Sequence, residues 1–186
     1  SPTAAPAPEA TAAPDAVHVL RASLAHAGLV HAGALQRWIA TAATLQHAAI
    51  ATVYAWGEAA ALARPMLALR STPALPAQFV FDRAQLGGPV GLLAFVVSAC
   101  TGERDRVASQ VLEQAHRQLG LRLQPVATVI EKRATLVCTP GLQRPPMAIA
   151  PGLMACGDYI DGPYPSTLEG AVRSALALMR SAAPAS

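Results

Sequence analysis

The segment from Gly157 to Ser174, reading GDYIDGPYPSTLEGAVRS, constrains the fold of this chain more than any other stretch. The apolar run Leu153 to Cys156 leads into Gly157 and the carboxylate of Asp158, which reads as a strand ending in a Gly-Asp turn. A loop rich in proline follows, and a helix then opens with Ser166-x-x-Glu169. That spacing predicts a capping box, in which the Ser166 hydroxyl accepts the third helical N–H while Glu169 reaches back to the cap amide. The first turn leaves other N–H groups unpaired, with partial positive charge along the axis, so it can receive an anion or a partly negative ligand oxygen. Gly170, Ala171 and Ser174 keep one face of this helix thin enough for close approach.

Upstream, Asp15 can cap a helix over Ala16 to Ala27 that carries Val17, Leu20 and Leu24, and a second helix is predicted over Ala34 to Gln46 with Leu35, Trp38, Ile39 and Leu45 inward. The run Ile50 to Trp56 is β-branched and aromatic and is bounded by Gly57, as a strand should be. Further extended pieces are expected at Arg64–Leu69 and Gln78–Arg83. Gly91–Ala99 is uninterrupted in its apolarity, as a buried strand would be. Glu103 to Leu119 repeats apolar residues at helical spacing (Val107, Val111, Leu112, Ala115, Leu119), and Gly120 ends it. Val126–Ile130 and Ala134–Cys138 read as two extended pieces around the charged Glu131-Lys132-Arg133. The order of elements predicts a mixed α/β fold in which an antiparallel sheet walls a pocket.

Composition removes several function classes. Hydrophobic residues make up 53% of the 186 and charged residues only 13%, against about a quarter charged in ordinary domains. That apolarity calls for a lipid-like pocket, a covering segment or a membrane-facing patch. The net charge of +3 comes from scattered residues with no basic stripe, and aromatics are 4%, so neither a duplex-binding surface nor a base-stacking platform is indicated. Cys100, Cys138 and Cys156 lie far apart and form no C-x-x-C pair. They read as free thiols of a reducing compartment, and with the scattered histidines they make no metal site. No apolar run is long enough for a membrane span. The Ala/Pro-rich residues 1–14 read as a flexible linker, and a chain opening at Ser1 reads as part of a longer protein.

Taken as one string, Gly157 to Ser174 resembles the C-terminal flavin motif of FAD-dependent amine oxidases and desaturases, most closely the hydroxysqualene dehydroxylases. The strings Gln78–Arg83, Gly91–Ala94, Glu131–Thr135 and Cys138–Gly141 are similar to successive blocks of the same family and stand in the family's order. The resemblance spans about Ile50 to Ser181, with Phe79 standing where the family carries a Trp. It implies that Gly157 and Asp158 meet the ribityl–pyrophosphate part of FAD, and that the backbone of Thr167 and Leu168 meets the pyrimidine edge of the flavin. A helix N-terminus there would stabilise the negative charge of the reduced ring. The implied domain plan is a substrate-binding portion over residues 15–150 and the last strand and helix of an FAD domain over 151–186.

The implied activity is reduction of hydroxysqualene to squalene with reduced FAD, in the squalene and hopanoid pathway. The other half of such a cofactor site is a G-x-G-x-x-G turn, and none of the 13 glycines makes that pattern. The missing N-terminal dinucleotide-binding part is therefore an expected partner, and the chain alone is expected to be inactive. Tyr54, Phe79, Phe81 and Phe95 are candidates to line a channel for the isoprenoid substrate. Asp82, Glu131 and Tyr54 are chemically able to polarise a leaving hydroxyl, but nothing in the sequence selects a catalytic residue. Alternatives are a related carotenoid-type desaturase, an amine oxidase, or a non-catalytic partner subunit. An amine site needs an aromatic cage, for which eight aromatic residues are few. The expected location is cytoplasmic, with peripheral contact on the inner face of the membrane and no nucleic acid.

Overall fold

Alternation along a few strands organises the centre of the protein. The computed structural model describes residues 32–182, so the predicted linker and the helix over Ala16 to Ala27 lie outside the described residues. The fold is mixed α/β. In chain order the elements are α1 (Ala32–Ala43), β1 (His47–Trp56), β2 (Met66–Ala68), β3 (Phe79–Asp82), a 3-10 turn (Ala84–Leu86), β4 (Leu92–Ser98), α2 (Arg104–Leu119), β5 (Gln124–Leu136), β6 (Ala148–Ala150), β7 (Leu153–Met154) and α3 (Leu168–Ala182). Among the described residues the chain divides into a sheet unit, 46–139, and a C-terminal unit made of 32–45 and 140–182. Residue 150 thus falls inside the C-terminal unit.

In the sheet unit five strands pair antiparallel in the order β2-β3-β4-β1-β5. Successive side chains alternate between the two faces of the sheet. Ala51, Val53 and Ala55 of β1, Leu93, Phe95 and Val97 of β4, and Val80 of β3 share one face, and Val107, Val111 and Ala115 of α2 close over them. Each large apolar side chain so buried contributes about 1.5–3 kcal/mol. Phe95 is fully buried in this layer, so it is core and leaves the set of channel candidates. Its neighbours in the strand, Ala94 and Val96, face the other way.

Two polar devices hold the edges. Gln114 is fully buried on α2, where its amide oxygen accepts the Ala77 N–H at 2.8 Å and its NH2 donates to Ala77 O at 2.9 Å and Arg70 O at 3.2 Å. One turn on, Gln118 repeats the clamp on the N–H and C=O of Arg70. At the other end the Asp82 carboxylate is buried and accepts the Leu62 N–H (3.0 Å), the Ala84 N–H (3.0 Å) and the Gln85 amide (2.9 Å). These bonds, Leu62 first and the Gln85 side chain second, outweigh burial and hold the carboxyl below its ordinary value. Asp82 thus ties down the start of the 3-10 turn through the Ala84 N–H and faces the helix-covered side.

The two extended pieces expected around Glu131-Lys132-Arg133 are one strand, β5. The pairing with β1 passes from Ala48↔Thr135 to Ile50↔Glu131, so the residues 132–134 stand opposite Ala49 alone. The charged triplet is an exposed bulge within the strand, with Glu131 Oε1 accepting the Arg133 N–H at 3.1 Å. In the C-terminal unit α1 ends at Ala43 and Leu45 lies beyond it, because Thr44 folds back to bond Thr41 O. Trp38 and Ile39 pack with Ile149 and Ile160, the Trp38 indole donates to Pro146 O at 2.7 Å, and its ring meets Tyr159 edge-on.

Replacing Gln114 by Ala strands the buried N–H and C=O of Ala77 and is expected to lower stability by about 2–4 kcal/mol in urea unfolding, whereas Gln110→Ala, which gives up one bond to Pro73 O, costs under about 1 kcal/mol. Because the folded state depresses the Asp82 carboxyl, its contribution is complete above the ordinary carboxylate pKa and lost as pH falls through the folded value. Asp82→Asn should therefore lower stability at pH 7 and flatten its decline in acid, read from melting temperatures between pH 7 and pH 2.

Candidate functional site

The segment from Gly157 to Ser174 folds around one serine. β6 and β7 form a short antiparallel hairpin, and the chain leaving Met154 reaches Gly157 beside the middle of α3. There the Ser174 hydroxyl accepts the Gly157 N–H at 2.8 Å and stands within bonding distance of Ala171 O (2.8 Å) and Gly157 O (3.1 Å). Two glycines of the segment are fixed by other close approaches. A Cβ on Gly157 would lie 2.5 Å from the Tyr159 ring, and one on Gly170 would lie 2.0 Å from Tyr164 O. The small residues of the helix face thus allow the close approach that their spacing predicted.

The cap differs from the predicted box by one residue. Ser166 sits at φ 55, in the left-handed region, whereas a capping residue needs extended backbone. Thr167 takes the role: its hydroxyl accepts the Gly170 N–H at 3.0 Å, and its carbonyl accepts the Ala171 N–H at 3.0 Å. Glu169 points along the helix to Arg173 instead of back to the cap. The Ser166 N–H donates to Asp158 O at 3.0 Å, which closes the loop and brings the strand-end residue to the start of the helix.

Gly157, Asp158, Thr167 and Leu168 are therefore brought together on one side of the C-terminal unit. The amides of Thr167, Leu168 and Glu169 and the carboxylate of Asp158 have no hydrogen-bond partner among the described residues. Leu168 is 88% exposed. Such a set can donate to a carbonyl-type oxygen and accept from hydroxyl groups. Beside it Tyr159 is half-buried, and burial together with the charges of Cys156 and Asp158 raises its hydroxyl pKa.

Sequence reasoning missed the residue that shapes the adjoining loop. Arg144 precedes two prolines, and nothing local in the sequence marks it out. Its buried guanidinium donates to Ile160 O at 2.7 Å and to Gly162 O, and lies 3.6 Å from the Asp161 carboxylate. A cleft of about 290 Å³ runs along the loop, between Ile160, Gly162, Tyr164 and the α3 residues Gly170, Arg173 and Arg180. On α3 the residues Leu168, Val172, Leu176 and Met179 recur at helical spacing and are all exposed.

In the sheet unit Tyr54, Phe79 and Phe81 all lie on the face that α2 does not cover. Tyr54 and Phe81 flank Ala94, and Phe79 pairs with Val96. Met66, Trp56 and Val129 share this face and are exposed. Glu131 belongs to the same face at its far end, while Asp82 belongs to the opposite one. No family model matches the chain, and no curated protein is significantly similar to it.

Thr167→Ala is expected to cost about 1 kcal/mol through loss of the cap, while Ser166→Ala costs less, because Ser166 does not occupy the cap position. Thermal unfolding of the two variants side by side checks which residue caps the helix.

Proposed function

We propose that this chain is the C-terminal part of an FAD-dependent oxidoreductase of the squalene and hopanoid pathway, which reduces hydroxysqualene to squalene. The observation that carries the proposal is the arrangement of Gly157 to Ser174: a strand-end carboxylate and three helix-start amides, unpaired among the described residues, joined by the Ser166–Asp158 backbone bond and the Ser174 clamp on Gly157. These residues fit the ribityl and pyrimidine side of FAD. Asp158 would accept hydrogen bonds from ribityl hydroxyls, and the Thr167 and Leu168 amides would donate to the pyrimidine edge. Reduced FAD, when bound, supplies the hydride that replaces the allylic hydroxyl.

The rest of the chain contributes surfaces. Tyr54, Phe79 and Phe81 offer an apolar wall on which an isoprenoid chain can lie without stranding polar groups. The exposed stripe of α3 suits a helix that covers a parallel sheet, since such sheets are buried by helices on both faces. The dinucleotide-binding part that would supply this sheet and the adenosine half of the site is the proposed partner. An apolar sheet face also accords with peripheral contact at a membrane, and no helix among the described residues is long and apolar enough to cross one.

Incubating the complete protein with hydroxysqualene and reduced FAD is expected to give squalene, identified by chromatography. Unchanged substrate would overturn the reading, and a desaturated carotenoid precursor or an oxidised amine as the preferred reaction would move the chain to a related family. Asp158→Ala in the complete protein should lower its flavin content while leaving the far-ultraviolet circular dichroism unchanged. A flavin content equal to the wild type would remove Asp158 from the cofactor site.

A further inference from the structure

The open face of the sheet is not uniformly apolar; it has a basic end. The pairing places Leu92 beside Trp56, and the Arg83 N–H donates to Leu92 O at 3.0 Å, so Arg83 continues this row on the open face. The Asp82 N–H donates to Pro65 O at 2.9 Å, which carries the β2–β3 register outward to Pro65 and leaves the exposed Arg64 next along the chain, at the same end of the sheet as Arg83. Neither guanidinium has a hydrogen bond or ion pair among the described residues. Met66, Phe81, Ala94 and Tyr54 form the next row inward, which is apolar but for the Tyr54 hydroxyl, and Phe79, Val96, Thr52 and Val129 form the row after it, apolar but for the Thr52 hydroxyl. No carboxylate interrupts these rows. Glu131 stands past them at the far end, and Glu58 lies two residues beyond Trp56 in the turn.

We propose that this face binds a single-chain amphiphile with an anionic headgroup, its head on Arg64 and Arg83 and its apolar chain along Phe81, Tyr54 and Phe79. The argument is charge and shape together. Two unpaired arginines suit a phosphate or carboxylate, which guanidinium groups take by paired N–H donation. From the arginine row to Val129 the face runs about 13 Å at the usual rise of an extended strand, enough for a chain to lie along it. The proposal rests on the reading of this face as an apolar wall and adds a second ligand class, anionic at one end where hydroxysqualene is neutral. It requires neither flavin nor turnover.

Trp56 is a built-in reporter, because its indole stands in the arginine row and donates to Val90 O at 3.2 Å. The full chain is titrated with monomeric dodecyl phosphate, dodecanol and dodecyltrimethylammonium, and separately with vesicles of anionic phospholipid, while indole fluorescence is followed. Trp56→Phe identifies the responding residue. Dodecyl phosphate is expected to bind at least about tenfold tighter than dodecanol, the worth of a charge-assisted hydrogen bond. Arg64→Gln with Arg83→Gln should abolish that difference while leaving the melting temperature unchanged, and Phe79→Ser should weaken both ligands alike.

Equal binding of phosphate and alcohol, unaffected by the arginine changes, overturns the proposal and leaves the apolar wall standing. Absence of any binding overturns both. Binding to vesicles alone overturns it in favour of a bilayer surface.

Discussion

The fold depends on one constraint: a sheet that is apolar on both sides and that, among the described residues, has one helix packed on it. Strand pleating commits each residue of β1, β3 and β4 to one face or the other. Ala51, Val53, Ala55, Phe95 and Val97 meet α2, and Tyr54, Phe79, Phe81 and Val96 must face away from it. The helix-covered layer is compact because its β1 residues are small; two alanines and a valine let α2 lie close to the strand. The larger aromatic residues are thereby concentrated on the face left open. The apolar wall and the packed core are two consequences of the same register.

Edge polarity completes this arrangement. The segment from Arg70 to Ala77 reaches the sheet without regular pairing along its length, and its backbone groups are met by amide side chains of α2 instead. A glutamine does this well, because one amide offers a donor and an acceptor side by side, matching the N–H and C=O of a single residue. Asp82 solves the complementary problem where several N–H groups converge on one point. A carboxylate accepts them all, and their number keeps it ionised although it is buried.

The sequence made the strongest regular elements legible. The run Leu92 to Ser98 was readable because nothing polar breaks it, and α2 because its apolar residues recur at helical spacing and Gly120 stops it. Features that depend on distant partners were not legible. Gln114 looks like any polar helix residue until Ala77 is brought against it. The bulge at 132–134 looked like a break between strands, because charge in a strand and charge in a turn are alike in one dimension. Phe95 and Phe81 could not be told apart as wall or core until the pairing fixed which face each occupies. The segment from Gly157 to Ser174 was readable as a loop leading into a helix, whereas the cap was placed one residue early. Two adjacent hydroxyl residues offer two possible caps, and the left-handed backbone of Ser166 decides between them.

The Ser174 clamp has a metric consequence. Seventeen residues separate its two ends, and a helix turns about 100° with each residue. An insertion or deletion of one residue between Thr167 and Ser174 would swing the hydroxyl a quarter turn or more away from Gly157. A change in the loop before Thr167 would leave the helical phase intact and alter only the path of the chain. The two halves of the segment therefore tolerate different kinds of variation: the loop can drift in sequence and length, and the helix can drift in sequence but not in count. The serine acts as a ruler, and what it measures is the distance from the strand end to the start of the helix.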